Sequence, residues 1–448
     1  MIARLSLVVL AYAGLCAAST ARAVTIERSA VLPHGGGDLF ARHDGSIDVL
    51  SSTGGAGDQR LLIERWPARG PLRSSIGGPI PRATLYGRRS VALTRGGAVA
   101  AVDVFHERKH RIAVRSYGRR GQVVRTQFVS PPGMSAQEPV VVTGGGAVGV
   151  TFYARNRETE AVPRLMWAFR PSGAARFQPA RALDRPAGYG LIRYSAAIGP
   201  AGDGAAFASS ELGGRDPEAL RVRRLSADGG LGPWIAVGEP ASGFVTPAVA
   251  VGADSTVALA YLTEGPDEDG ARTVALRSSS LPRGTDTPTP VQELHRGRDS
   301  SVLYNGLSVA IGAANQTLVT MSGRAAGERI LLFTGTAGQL VLDASFEARS
   351  ADTAIPLSDV SASVTDDGGG TVVWSSAIGY GTGPLYASHR PPGGRFEPPR
   401  VIARSSFTDK RSSIRPRRMI STGAGRVAVV IDDYGNDNGR SRLVLLVP

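Results

Sequence analysis

The sequence predicts an all-β protein, a β-propeller of four-stranded antiparallel blades, and three observations carry that prediction. Short turns rich in Gly, Asp and Asn recur along the chain, each followed by an alternating or continuous apolar run. A second set of strand-like runs follows each turn at a similar distance. The chain also ends one strand short of a full last unit, while a spare strand-like segment stands near its beginning.

The chain opens with Arg4, an apolar run "LSLVVLAYAGLCAAS" and the small-x-small pattern Ala21, Arg22, Ala23. That order predicts a signal peptide over 1–23 with cleavage before Val24, leaving 24–448 as a single propeller domain that is secreted, extracellular or periplasmic. The run falls short of the ~20 apolar residues of a membrane span, and no later segment approaches that length, so an integral membrane protein is not expected. Lipid attachment at Cys16 is the alternative, but that chemistry expects a small residue before the cysteine and Leu15 is large. Cys16 is the only cysteine, so the processed chain has no thiol for a disulfide, a thiolate metal site or a nucleophile.

The turn series runs "RHDGSIDVLSS", "TRGGAVAAVDV", "TGGGAVGVTFY", "GPAGDGAAFAS", "VGADSTVALAY", "GAANQTLVTMS", "TDDGGGTVVWS" and "TGAGRVAVVID". Two-residue hairpin loops need φ > 0, which Gly, Asn and Asp reach most cheaply, and the apolar run after each turn reads as a strand. Further along each copy lie "RLLIERW", "HRIAVRS", "RLMWAFR", "ALRVRRL", "RTVALRS", "RILLFTG", "PLYASHR" and "SRLVLLV", which are third strands. A weaker fourth set includes "QVVRTQF", "ARFQPAR", "GPWIAVG" and "RFEPPRV", whose prolines suit an edge strand. With the run before each turn, every copy supplies four antiparallel strands, and such units repeated at this period specify a propeller. Eight blades are expected; seven is the alternative, because "GPLRSSIGGPIP" defines the fourth strand of the first copy poorly. The last copy stops after its third strand, so "VTIERSAVLP" is expected to pair there and close the ring.

The net charge of +13 comes almost entirely from Arg, with Lys only at Lys109 and Lys410. The arginines are spread through the chain apart from "RRGQVVR" from Arg119 and "RPRR" from Arg415, so no nucleic-acid partner is expected, and attraction to an acidic cell surface is the milder reading.

His106, Glu107 and His110 spell the H-E-x-x-H of zinc peptidases. That motif needs both imidazoles one helical turn apart, whereas "HERKH" joins a second and a third strand, so a solvated loop and no catalytic zinc are expected. "TEGPDEDG" from Thr263 and "DDYGNDNG" from Asp432 gather oxygen ligands in loops, and calcium is the cofactor to consider there. No resident cofactor or metal site is otherwise indicated.

In "SADGGLGPW", Ser226, Asp228, Gly230 and Trp234 resemble the Asp-box hairpin of secreted bacterial sialidase-like propellers, with Pro233 at the aromatic position and Trp234 one residue late. The resemblance covers the repeat plan and implies fold. The catalytic arginines and tyrosine of sialidases find no match, so it assigns no catalytic residue.

Propellers bind ligands where the innermost strands begin. In register these positions are Arg89, Glu138, Arg193, Thr246, Asn305, Asp359 and Arg417, with Tyr194 and Tyr304 beside them. Arg, carboxylate and aromatic groups around one mouth suit a sugar or an acidic peptide. The expected function is therefore a non-enzymatic exported propeller, acting as a monomer, that binds a glycan, an extracellular protein or peptide, or an envelope component. The alternative is a carbohydrate-active enzyme, a hydrolase or lyase on acidic sugars, with Arg193 or Arg417 as carboxylate clamp and Tyr194 or Tyr304 moving a proton. Glu138 and Asp359 fall in opposite copies, too far apart for the ~5 Å pair of a retaining glycosidase.

Overall fold

The second strand of each repeat shows why the chain forms a ring. Gly97–His106 is buried continuously over its first seven residues, and Val257–Pro266 over its first eight. A strand buried on both faces needs a sheet or core on each side. Eight four-stranded antiparallel sheets supply this, each packed face to face with two neighbours. The computed structural model describes residues 24–32, 39–42, 44–53, 60–79, 89–156, 163–183, 192–212, 216–238, 245–266, 269–298, 305–323, 325–326, 329–347, 360–365, 367–375, 384–404, 413–422, 426–435 and 438–447.

The blades follow chain order. Blade 1 spans Leu39–Ala41 to Arg73–Pro79, so the segment that raised the seven-blade alternative does form a fourth strand. Blade 2 is Arg89–Thr94, Gly97–His106, Lys109–Gly118 and Val123–Phe128. Blade 3 is Ser135–Gly144, Ala147–Arg155, Arg164–Arg170 and Arg181–Ala182. Blades 4 to 7 begin at Ile192, Val245, Asn305 and Val360. Blade 8 is Ser413–Ser421, Val427–Gly435, Asn438–Val447 and the N-terminal strand Thr25–Leu32, which pairs antiparallel from Thr25 with Val447 to Leu32 with Ser441. The first strands of consecutive blades lie side by side all the way round, those of blades 8 and 1 included. The ring is an eight-bladed propeller closed by the N-terminal strand, as the sequence predicts.

Eight apolar clusters of described residues fill the eight seams between blades. Val99, Val114 and Val148 join blades 2 and 3, Ala205, Leu259 and Tyr261 join blades 4 and 5, and Leu32, Leu39 and Val430 join blades 8 and 1. Polar ties repeat across the seams. Gln127 of blade 2 donates to Phe177 O and accepts from its amide at 3.0 and 3.1 Å, and Gln292 of blade 5 does the same with Leu340 at 2.6 and 3.0 Å.

Two local expectations need correction. Two-residue turns join the first and second strands of blades 2 and 3. In blades 1, 4, 5, 6 and 7 the turn is wider and places one residue in the left-handed region: Gly45, Gly202, Ser255, Asn315 or Gly368. In each of these the amide of the left-handed residue donates to the carbonyl three residues before it, and a preceding Asp can cap the turn, as Asp254 Oδ1 accepts from the Thr256 amide at 2.9 Å. The fourth strands of blades 3 and 7 are also shorter than their runs suggest. They shrink to Arg181–Ala182 and Arg400–Ala403, beyond the prolines that cannot donate to the ladder.

Candidate functional site

The strand starts place the expected mouth residues at one end of the ring. Arg89 and Asn305 open their strands, Thr246 is second in its strand, and Arg193 and Tyr194 are second and third in theirs. Arg417 falls at a bulge, unpaired between Pro416 and Arg418. Tyr304 and Asp359 lie outside the described residues, as do the side chains of Arg89, Asn305 and Arg417.

What the structure brings together is a smaller group between blades 3 and 4. Glu138 sits where the register of its strand slips between Gln137 and Val140, with φ 56°, a left-handed conformation rare for a side chain of this size. The slip brings its charge within reach of Tyr153, which meets Tyr194 edge to face at 5.8 Å. Thr151 donates to the Tyr194 hydroxyl at 3.0 Å. Burial and then the Tyr194 and Glu138 charges push the Tyr153 phenol above its ordinary range; burial raises Tyr194 too, against the Thr151 hydrogen bond. Both phenols stay protonated near neutral pH, so they can donate hydrogen bonds and form apolar ring contacts. Since Tyr194 faces blade 3, strand alternation turns Arg193 toward blade 5, away from this group. Tyr153 was not legible as a site residue, because only the bulge brings Glu138 to it.

"HERKH" is a hairpin tighter than a loop. His106 pairs with Lys109, and Glu107 and Arg108 alone form the turn, at φ 49° and 64°. The imidazoles take separate partners. His106 stacks on Phe128 at 4.8 Å, and His110 Nδ1 lies 3.0 Å from the buried Asp103 carboxylate. Of the two acidic segments considered for calcium, 263–266, 432–435 and 438–439 are strand, while Asp267, Glu268, Asn436 and Asp437 lie outside the described residues. Glu264 pairs with Arg272 at 3.1 Å, Ser441 donates to Asp432 at 2.5 Å, and Asp433 pairs with Arg442 at 3.6 Å. Among the described residues no three His, Cys, Asp or Glu side chains converge as a metal site would require.

The Ser226–Trp234 hairpin has the geometry its motif implies. The Asp228 carboxylate accepts from Ser226 Oγ at 2.5 Å and the Gly230 amide at 3.0 Å. Trp234 Nε1 donates to Leu183 O of blade 3 at 2.6 Å, and Arg223 lies over its ring at 5.3 Å. Its role is to brace a seam.

A different concavity stands at the opposite end of the ring, between blades 2 and 3. It holds about 460 Å³ and is lined by Arg95, Arg119, Arg125, Arg170, Ser116 and Ser172 among others, with no carboxylate among the described residues of its wall. Arg170 Nη1 donates to Ser116 Oγ at 2.8 Å and its guanidinium lies 5.3 Å from the Phe177 ring centre. Burial lowers the Arg170 pKa from its ordinary value with no negative group offsetting it. A second hollow of about 260 Å³ shares Thr94, Arg95 and Gly146 and carries the groove toward the axis. The "RRGQVVR" run supplied the sequence signal for Arg119 and Arg125. Arg95 and Arg170 carried none, since they join the run only when the two blades stack.

No protein-family model matches the chain, and no curated protein matches it. Solved structures do. The chain is similar to the polysaccharide lyase Uly1 at 8% identity over 93% of this chain and 91% of that one, with a TM-score of 0.50. It is similar to prolyl oligopeptidase B from Galerina marginata at 11% identity over 90% of this chain and 55% of that one, with a TM-score of 0.46. A third likeness, to the Aleuria aurantia lectin, has 12% identity over 69% of this chain and 95% of that one and a TM-score of 0.37. At such identities the likeness concerns the fold alone.

Proposed function

We propose that the chain is an exported, non-enzymatic propeller that binds an acidic glycan, a carboxylated or sulfated oligosaccharide, in the groove between blades 2 and 3. One observation carries this reading: four arginines line a 460 Å³ cleft with no carboxylate among the described residues of its wall. Such a cleft concentrates positive potential and offers forked donors to carboxylate or sulfate oxygens. The groove lacks what a single-stranded nucleic acid needs, since its one lining aromatic, Tyr117, is 3% exposed and gives no face for base stacking. The Ser226–Trp234 hairpin supports kinship with Asp-box propellers, many of which are exported.

Calorimetric titration with oligogalacturonate, a sulfated oligosaccharide, a neutral oligosaccharide and a single-stranded oligonucleotide tests the reading. The acidic sugars should bind, affinity should fall with salt, and Arg95→Ala and Arg125→Ala should each weaken binding about 5- to 50-fold. Equal binding of the neutral sugar, or binding of the oligonucleotide alone, rejects the proposal.

The Glu138, Tyr153 and Tyr194 group favours a second reading, an enzyme acting on acidic sugars at the mouth with a protonated phenol as acid. Its test is the appearance of unsaturated or reducing sugar ends. Absence of turnover, or turnover that survives Tyr194→Phe and Glu138→Gln, rejects it.

A further inference from the structure

Glu397 is buried with Arg400 as a charged neighbour but with its carboxylate oxygens unsatisfied. It lies between the third and fourth strands of blade 7, is 9% exposed, and neither carboxylate oxygen has a hydrogen bond among the described residues. Its backbone is pinned on both sides, the amide donating to His389 O at 2.8 Å and the carbonyl accepting from Ser388 Oγ at 2.6 Å, which fixes where the side chain leaves the chain. Arg400 supplies a positive charge that acts on it, but burying a carboxylate whose oxygens accept no hydrogen bond is still costly, and such a group calls for donors.

The backbone amide of Val24 also acts on this carboxylate, without completing a hydrogen bond to either oxygen. Val24 is 4% exposed and packs with Leu385, Ala387 and Ile402 of blade 7 and Val427 and Leu446 of blade 8. Its nitrogen is therefore fixed at the seam where the closure strand enters. Val24 is also the residue that follows the small-x-small pattern Ala21, Arg22, Ala23.

We propose that the chain is cut between Ala23 and Val24 and that Glu397 is the receiving site for the α-ammonium group so created. This rests on the export reading above. In the cut, water adds across the Ala23–Val24 peptide bond, its oxygen remaining on the Ala23 carbonyl carbon as a carboxylate. The nitrogen leaves as the Val24 amine and takes up a proton, its ordinary pKa being about 8. The uncut chain offers Glu397 one amide N–H. The cut chain offers a full positive charge and three donors at the same place, which makes a charge-assisted contact. The closure strand is thereby latched to blade 7 as well as paired in blade 8, and only after processing.

The test uses the full-length chain expressed in an exporting bacterium, as wild type and as Glu397→Gln, which keeps the side-chain shape. Intact mass of the exported protein should show Val24 as its first residue. An aldehyde reagent specific for α-amines should label the native wild type at least ten-fold more slowly than Glu397→Gln, a difference that a merely structural role for Glu397 would not produce. The variant should also melt about 3–5 °C lower. Recovery of the chain uncut in the cytoplasm would sink the export reading and this proposal with it. Export with a first residue other than Val24 overturns the cut site. Export at Val24 with equal labelling rates in the two proteins overturns the latch and leaves export standing.

Discussion

Arg28 bolts the two ends of the propeller together, and its removal gives a quantitative test of ring closure. It lies on the closure strand of blade 8, yet its guanidinium stacks on Trp66 of blade 1 at 4.2 Å and donates to Pro67 O, Ala68 O and Gly70 O at 2.9, 2.7 and 2.9 Å. Two of these bonds are exposed and one is partly buried, so Arg28→Ala should forfeit about 1 kcal/mol for each exposed bond and up to ~2 for the third. The cation–π contact adds ~0.5–1 kcal/mol. Because the four contacts share one side chain and their carbonyls can rehydrate, the expected total is about 2–4 kcal/mol. With an unfolding entropy of roughly 2 cal/mol/K per residue, a chain of this length should lose about 2–4 °C. The assay is thermal and urea unfolding followed by tryptophan fluorescence, since Trp66 is 4% exposed beneath the guanidinium and should report opening of this seam first. Arg28→Lys keeps the charge but not the planar fork, and should recover less than half of the loss. A stability change under ~0.5 kcal/mol for Arg28→Ala, or full recovery with Lys, would refute the argument that this side chain fastens the ring.

Deleting 24–32 should destabilise the whole ring, since it exposes the edge of Asn438–Val447 and unpacks Leu32; an unchanged melting temperature would contradict the observed pairing. Gly149→Ala should cost ~1–3 kcal/mol, because an added Cβ would come within 1.8 Å of the Trp167 ring; urea unfolding reads this directly. The buried His389 ring, 3.1 Å from Thr371 Oγ1, has its pKa lowered by burial despite Asp367. The unfolded chain therefore takes up the proton first as pH falls. Stability should be full above the ordinary value near 6.5 and decline below it by up to ~1.4 kcal/mol per pH unit, a decline that His389→Asn should remove. His106→Ala should leave stability unchanged, while His110→Ala should cost about 1–3 kcal/mol by leaving the Asp103 carboxylate buried without its partner; equal melting of the two variants would refute this division.

What the sequence determined by itself is the ring. Eight turns followed by apolar runs are local features, and period-two burial leaves a strand little choice of face. The missing fourth strand of the last copy and the spare strand at Thr25–Leu32 imply their own pairing for the same reason, since an unpaired edge leaves backbone donors and acceptors unsatisfied. The inner-strand positions such as Thr246 and Asn305 were legible too, because register within a repeated unit carries over from copy to copy.

Only the tertiary structure decided which side chains meet. Arg95 and Arg170 are ordinary turn and strand-end arginines until blades 2 and 3 stack and leave the Arg119 to Arg125 run facing them across a gap. Glu138 comes within electrostatic reach of Tyr153 through a one-residue bulge that no alternation pattern announces. Val24 packs against Leu385, Ala387 and Ile402 of blade 7 because the closure strand enters the ring at the seam between blades 7 and 8. Patterning acts through nearest neighbours along the chain, whereas these contacts depend on how sheets twist and pack against one another, which is a property of the assembled ring.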